Sequence, residues 1–99
     1  MKISMERSGG FAGTLLTAQL DTSQLDSNRA AEVTQALQAA RFFELPESLR
    51  SQMMDDYAYI VEVDDGATRH RVLIDRSVAG PELRKLLDLL QQYLKPQVK

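Results

Sequence analysis

Apolar and polar residues alternate near the start of the chain, which is the pattern of half-buried strands. The alternation predicts one strand over Lys2–Arg7 and a second over Phe11–Leu20. Between them three glycines fall within five residues, at positions 9, 10 and 13. Because glycine reaches positive φ without a Cβ clash, Ser8-Gly9-Gly10 predicts a tight reversal that joins the two strands as an antiparallel hairpin.

A change of spacing predicts the first helix. Apolar residues recur at intervals of three and four from Ala30 to Ala40, which places a narrow apolar stripe on a helix that ends near Arg41. The Asp, Ser or Asn at positions 26–28 can accept its first free N–H groups. The adjacent pair Phe42-Phe43 follows the helix, and we expect both rings to close one end of the core.

The second half of the chain predicts the same order of elements. Alternation over Tyr57–Asp64 and Thr68–Ile74 predicts two more strands, joined by an Asp-Gly turn. A second helix, with a stripe of leucines, begins at Gly80-Pro81-Glu82 and is stopped by Lys95-Pro96. Residues 47–56, before the third strand, are mostly polar and predict a long loop that can hold one short helical turn.

The order strand, strand, helix, strand, strand, helix predicts the fold class. We expect an α+β domain of two layers, in which a four-stranded antiparallel sheet (β-β-α-β-β-α) carries both helices on one face. Residues 1–99 fit a single domain with one modest core, because 43% of them are hydrophobic. The pattern leaves the order of the strands in the sheet open.

Composition and charge narrow the classes of function. Twelve basic and fourteen acidic residues give a net charge of −2, which disfavours general binding to nucleic acid or to an anionic membrane. The chain contains no cysteine, so disulfides and thiolate chemistry are excluded. Its start lacks the apolar stretch of a secretory signal, and no apolar run reaches the ~18–20 residues of a membrane span. We therefore expect a cytoplasmic protein.

The histidine and the glycine-rich stretch give little support for an enzymatic function. His70 is the only histidine, so neither a catalytic triad nor a histidine-rich zinc site can be assembled around it, and we expect it to be a hydrogen-bonded strand residue. The glycine-rich stretch lacks the spacing of a phosphate-binding loop and is not followed by a helix. We predict no catalytic residue, no metal site and no cofactor.

Two arginines admit two interpretations. Arg69 and Arg71 share one side of the fourth strand, where Glu62 and Asp64 can pair with them across the hairpin. A weak nucleic-acid surface is the alternative, and the acidic isoelectric point disfavours it.

Several segments together resemble the Emfourin family. The likeness extends over nearly the whole chain, and its first two segments are the more specific. The segments are Glu6-Arg7-Ser8-Gly9-Gly10-Phe11-Ala12-Gly13, Arg41-Phe42-Phe43-Glu44-Leu45-Pro46, Tyr57-Ala58-Tyr59-Ile60-Val61-Glu62-Val63, His70-Arg71-Val72 and Pro81-Glu82-Leu83 up to Leu90.

The resemblance implies a function. It implies a bacterial, cytoplasmic, non-enzymatic protein that binds and blocks the active-site cleft of a thermolysin-like, protealysin-type zinc metallopeptidase. We expect this protein to be a monomer when free. We expect the protease-binding residues to be Arg7, Ser8, Gly9, Gly10 and Phe11, with Phe11 as an apolar anchor. Two alternatives stay open: Phe11 caps the core instead, and the domain is a regulatory protein–protein interaction module.

Overall fold

The chain folds into one mixed sheet with two helices. The computed structural model describes residues 1–8, 15–50 and 58–96. The elements of this part are β1 (Lys2–Ser8), β2 (Leu16–Asp21), α1 (Ser27–Ala39), β3 (Ser48–Leu49), β4 (Ala58–Asp64), β5 (Arg69–Asp75), α2 (Pro81–Gln91) and β6 (Lys95–Pro96). Short 3₁₀ turns occupy Thr22–Gln24, Phe42–Glu44 and Arg76–Val78.

The strand order in the sheet is β3-β5-β4-β1-β2-β6. The four long strands are antiparallel to one another, as predicted, and β1 lies between β4 and β2. The expectation of four strands is corrected, because the two-residue strands β3 and β6 extend the two edges and β3 runs parallel to β5. An edge strand leaves its N–H and C=O groups unpaired, and short neighbouring segments satisfy some of them here. At one edge the Leu73 N–H donates to the Glu47 carbonyl over 2.8 Å.

The core lies between one face of the sheet and both helices. Side chains alternate along the long strands, so that Ile3 and Met5 of β1 are 3% and 1% exposed while the residues between and beside them face outward. The predicted stripes supply the buried residues of both helices, but α2 ends at Gln91 instead of continuing to Lys95-Pro96, which forms β6. The buried residues that complete the core are Ala18, Val33, Ala36, Leu37, Ala40, Phe42, Tyr59, Val61, Val63, Val72, Ile74, Ala79, Leu83, Leu86, Leu87 and Leu90.

The helix ends follow from residues the sequence singles out. Asp26 is the N-cap of α1, since its Oδ1 accepts from the Arg29 N–H over 2.8 Å. Gly80 is the N-cap of α2, and Pro81 and Glu82 occupy its first turn. Beyond the C-cap of α1, Arg41 adopts the left-handed conformation with φ 51°.

Only one of the two adjacent phenylalanines closes the core. Phe42 is 1% exposed, whereas Phe43 is 38% exposed. The pair opens a 3₁₀ turn, in which successive side chains point about 120° apart, so both rings cannot face the same core. Phe43 instead meets the edge of Phe42, with ring centroids 5.9 Å apart.

The predicted loop over residues 47–56 is partly a strand. Ser48–Leu49 forms β3 beside β5. Residues 51–56 lie outside the described part of the chain. Neither α1 nor α2, the helices of that part, is long and apolar enough to cross a membrane.

Candidate functional site

The predicted binding segment leaves the sheet at one end, which we call the rim. Here β1 ends at Ser8, and Ser8 pairs with Ala58, the first residue of β4. Ala58 pairs in turn with Asp75, the last residue of β5. On the other side of β1, Arg7 pairs with Leu16, the first residue of β2. The rim is defined by these strand ends, Ser8, Leu16, Ala58 and Asp75.

The topology brings two further parts of the chain to the rim. Strand β3 runs parallel to β5 and therefore points towards the rim. Strand β6 ends there as well, because Pro96 pairs with Leu16. The strand ends at the rim adjoin residues 9–14, 51–57 and 97–99 in the sequence, and these three stretches lie outside the described residues. The sequence assigned the binding role to the first of these stretches because of its glycine pattern.

The five predicted protease-binding residues fall into two groups. Gly9, Gly10 and Phe11 lie outside the described residues. Ser8 is exposed at the rim. Arg7 lies on the core face of β1, and its Nη1 donates to Gln91 Oε1 of α2 over 3.0 Å. The Arg7 guanidinium is thus engaged within the domain.

The strand register also locates the connection between β1 and β2. Its last pair is Arg7 with Leu16, so residues 8–15 link the paired positions. Residues 9–14 of this link lie outside the described residues, so the reversal expected at Ser8-Gly9-Gly10 stays a prediction.

Two ion pairs flank the rim. Arg50 Nε lies 3.7 Å from Oδ2 of the buried Asp75. Arg76 Nη2 lies 2.8 Å from Asp88 Oδ1 of α2. The Asp88 carboxylate raises the pKa of the Arg76 guanidinium above its ordinary value, and partial burial opposes this effect. Nothing in the sequence indicated the roles of Asp75 and Asp88, because a polar residue at a strand end or on an amphipathic helix is usually expected to be exposed.

His70 is a hydrogen-bonded strand residue, as predicted. Its Nε2 lies 2.7 Å from the Leu45 carbonyl oxygen, which fits a ring N–H that donates to that oxygen. The imidazole also packs against Phe42, with ring centroids 5.6 Å apart. This position is remote from the rim, since His70 pairs with Val63 near the opposite end of the sheet.

The two arginines of β5 face the acidic residues that the sequence suggested. Asp64 pairs with Arg69 in the register, and its Oδ2 lies 3.7 Å from Arg69 Nη2. Glu62 is the register partner of Arg71. Over residues 1–8, 15–50 and 58–96, no three His, Cys, Asp or Glu side chains gather as a possible metal site.

Comparison with known proteins gives one match. A family model described as Emfourin matches residues 5–91, from the second half of β1 to the end of α2, and this range includes the whole predicted binding segment. No curated protein and no solved structure matches the chain. The family resemblance inferred from the sequence segments is confirmed.

Proposed function

This chain belongs to the Emfourin family, which implies a protease-inhibitor role, and from this premise we propose that it inhibits a thermolysin-like zinc metallopeptidase. In this proposal the chain acts as a protein ligand and not as an enzyme. The segment Ser8–Phe11, with Arg7 at its base, enters the active-site cleft and blocks access of substrate. The family match is the observation that carries the proposal.

The position of β1 supports this use of the segment. β1 is hydrogen-bonded on one side to β2 and on the other to β4, so the chain that leads into the binding segment is held from both sides. Its Ile3 and Met5 side chains are buried in the core. A ligand segment whose stem is ordered before binding loses less conformational entropy in the complex.

The residues of the segment suggest how it blocks the cleft. Gly9 and Gly10 have no side chain to keep the enzyme backbone at a distance. Phe11 offers a large apolar ring to a specificity pocket, and Ser8 supplies a hydroxyl at the exposed end of β1. Blocking by occupancy needs no reactive side chain on the inhibitor, and it predicts competition with peptide substrates.

The edges of the sheet support a free monomer. A two-residue strand covers part of each edge: β3 lies beside Leu73 and Ile74 of β5, and β6 lies beside Leu16 and Thr17 of β2. This leaves less of the edge open to a second copy. We propose that the free protein is a monomer that acts in the bacterial cytoplasm, as the family resemblance implies.

The test is an inhibition titration with a matched pair of variants. Wild-type protein is titrated against a thermolysin-like peptidase and a peptide substrate, beside Phe11→Ala and Phe43→Ala. Phe43 is the control because it is a partly exposed phenylalanine that packs against His70, away from the rim. A buried aromatic anchor contributes about 2–4 kcal/mol to binding, so Phe11→Ala should raise Ki about 30-fold to 1000-fold. Phe43→Ala should leave Ki unchanged.

The outcomes separate the proposal from its alternatives. Loss of inhibition by Phe11→Ala at an unchanged melting temperature supports the anchor. A joint loss of inhibition and stability identifies Phe11 as a core residue instead. If the wild-type protein does not inhibit thermolysin-like enzymes at all, the proposed target class is wrong.

A further inference from the structure

We propose that a chain of hydrogen bonds from α2 positions the binding segment and thereby sets the strength of inhibition. This series of hydrogen bonds, which we call the Arg7 chain, runs from Arg7 through Gln91 and Asp88 to Arg76. Gln91, Asp88 and Arg76 act as positioning residues that need not touch the protease. This inference rests on the proposed function, and its test includes a measurement that does not depend on that function.

The geometry of the four side chains is continuous. Arg7 Nη1 donates to Gln91 Oε1 over 3.0 Å, and Gln91 Nε2 donates to Asp88 Oδ1 over 3.2 Å. The same Asp88 oxygen accepts from Arg76 Nη2 over 2.8 Å. The Gln91 amide satisfies both neighbours in one orientation only, with its oxygen towards the guanidinium and its nitrogen towards the carboxylate. The chain therefore favours a single arrangement of its members.

The place of Arg7 in β1 explains what this arrangement does. Ile3, Met5 and Arg7 follow one another on the same face of the strand. The first two are buried among the helices, and Arg7 is half-buried where the apolar core ends. The sheet ladder holds β1 within the plane of the sheet, but contacts with the helical layer decide whether its end bends out of that plane. At Arg7, beyond the apolar core, the hydrogen bond to Gln91 of α2 is the contact that keeps the end of β1 against the helical layer.

The other end of the chain is anchored as well. Arg76 belongs to the 3₁₀ turn that leads from β5 into α2, and its side chain is one third exposed. The Asp88 carboxylate stabilises its charge, as the raised pKa of Arg76 indicates. Asp88 and Gln91 lie three residues apart on α2, so they face the same side of the helix. A shift of α2 relative to β5 would thus change the position of Gln91 and the hydrogen bond that it accepts from Arg7.

The first experiment compares Gln91→Ala with Gln92→Ala. Gln92 is the adjacent, exposed residue, so its variant controls for the loss of a glutamine at the end of α2. If the segment is correctly placed in only about a tenth of Gln91→Ala molecules, Ki rises about tenfold, because apparent affinity scales with the competent fraction. Gln92→Ala should leave Ki unchanged. Equal Ki values for Gln91→Ala and the wild type overturn the proposal.

A double-mutant cycle distinguishes positioning from direct contact. If Gln91 acts through Arg7, the double variant Arg7→Ala/Gln91→Ala inhibits no more weakly than Arg7→Ala alone. Effects that multiply would show that Gln91 acts independently of Arg7, and they would refute the chain. Gln91→Glu keeps an acceptor for Arg7 but cannot donate to Asp88 and places a second carboxylate beside it, so its Ki should also rise; an unchanged Ki would show that the link to Asp88 contributes nothing.

Amide hydrogen exchange tests the same point without a protease. Gln91→Ala should accelerate exchange about tenfold at the rim ends of β1 and β2 and leave the middle of β4 unchanged. Uniform acceleration would indicate a general loss of stability. No acceleration would indicate that the Arg7 chain does not stabilise the rim ends of β1 and β2. Both results overturn the proposal. If exchange responds as expected but the wild type inhibits no thermolysin-like enzyme, the positioning role stands and the proposed target fails.

Discussion

The adjacent residues Phe42 and Phe43 provide a matched test of where the core ends. Both lie in the same 3₁₀ turn, but Phe42 is 1% exposed and Phe43 is 38% exposed. Truncation of a buried phenylalanine to alanine typically costs about 3–5 kcal/mol, since it removes buried area and leaves a cavity. Phe42→Ala should lower the free energy of unfolding by that amount.

The expected cost at Phe43 is smaller. More than a third of its surface remains in water, and its main ring contact is edge-on with Phe42 at an interplanar angle of 86°. An aromatic pair of this kind contributes about 0.5–1.5 kcal/mol beyond the area it buries. We therefore expect Phe43→Ala to cost about 1 kcal/mol.

Urea denaturation and thermal melting of the three proteins measure the difference. For a domain of this size, 1 kcal/mol corresponds to a shift in melting temperature of about 4–8 °C. Phe42→Ala should thus melt at least about 12 °C below the wild type, and Phe43→Ala less than about 8 °C below it. Unchanged urea m-values would show that the comparison is between similar folded and unfolded states. Equal losses for the two variants would refute the assignment of Phe42 alone to the core.

Two further predictions concern single backbone features. Arg41 holds the left-handed conformation at the end of α1, and its ion pair with Glu44 is largely exposed, so Arg41→Gly should raise the free energy of unfolding by about 0.5–1 kcal/mol in urea denaturation, whereas Arg41→Ala should give no gain. The backbone N–H groups of Thr68 and Ala67 lower the pKa of Asp65 below its ordinary value of 3.8. Because the folded-state pKa is the lower one, the Asp65 carboxylate stabilises the fold above pH 3.8 and this contribution disappears as the pH falls through the folded-state pKa. Asp65→Asn should therefore make the free energy of unfolding, measured by denaturation between about pH 5 and pH 2, depend less steeply on pH.

The sequence predicted the long elements because their periodicity records which face is buried. Tyr59, Val61 and Val63 alternate along β4 and are all buried, and the stripe around Val33 and Leu37 marks the buried face of α1. The two-residue strands β3 and β6 escaped prediction for the same reason. Two residues contain no period, and these strands form only because an edge of the sheet lies beside them.

The candidate site was predictable only in part. The density of glycines marked residues 9–13, which lie outside the described residues, and the structure shows the neighbouring Arg7 and Ser8 at the end of β1. Gln91 and Asp88 gave no signal, since both are polar residues on the outer side of an amphipathic helix and such residues are usually solvated. Their role depends on α2 lying against the end of β1, which requires the tertiary structure.

The boundary between core and rim also predicts that stability and inhibition respond to different residues. Ile3 and Met5 stabilise β1 by burying apolar surface. The free energy gained in this way scales with the buried area and dominates the stability of the whole domain. Two residues further on, Arg7 makes a half-buried hydrogen bond, whose net contribution to global stability is only about 0.5–3 kcal/mol. The same bond acts directly beside Ser8, where a small change in the direction of the strand is carried into the binding segment. Substitutions in the core should therefore lower the melting temperature first, whereas substitutions along the Arg7 chain should weaken inhibition while most of the stability remains.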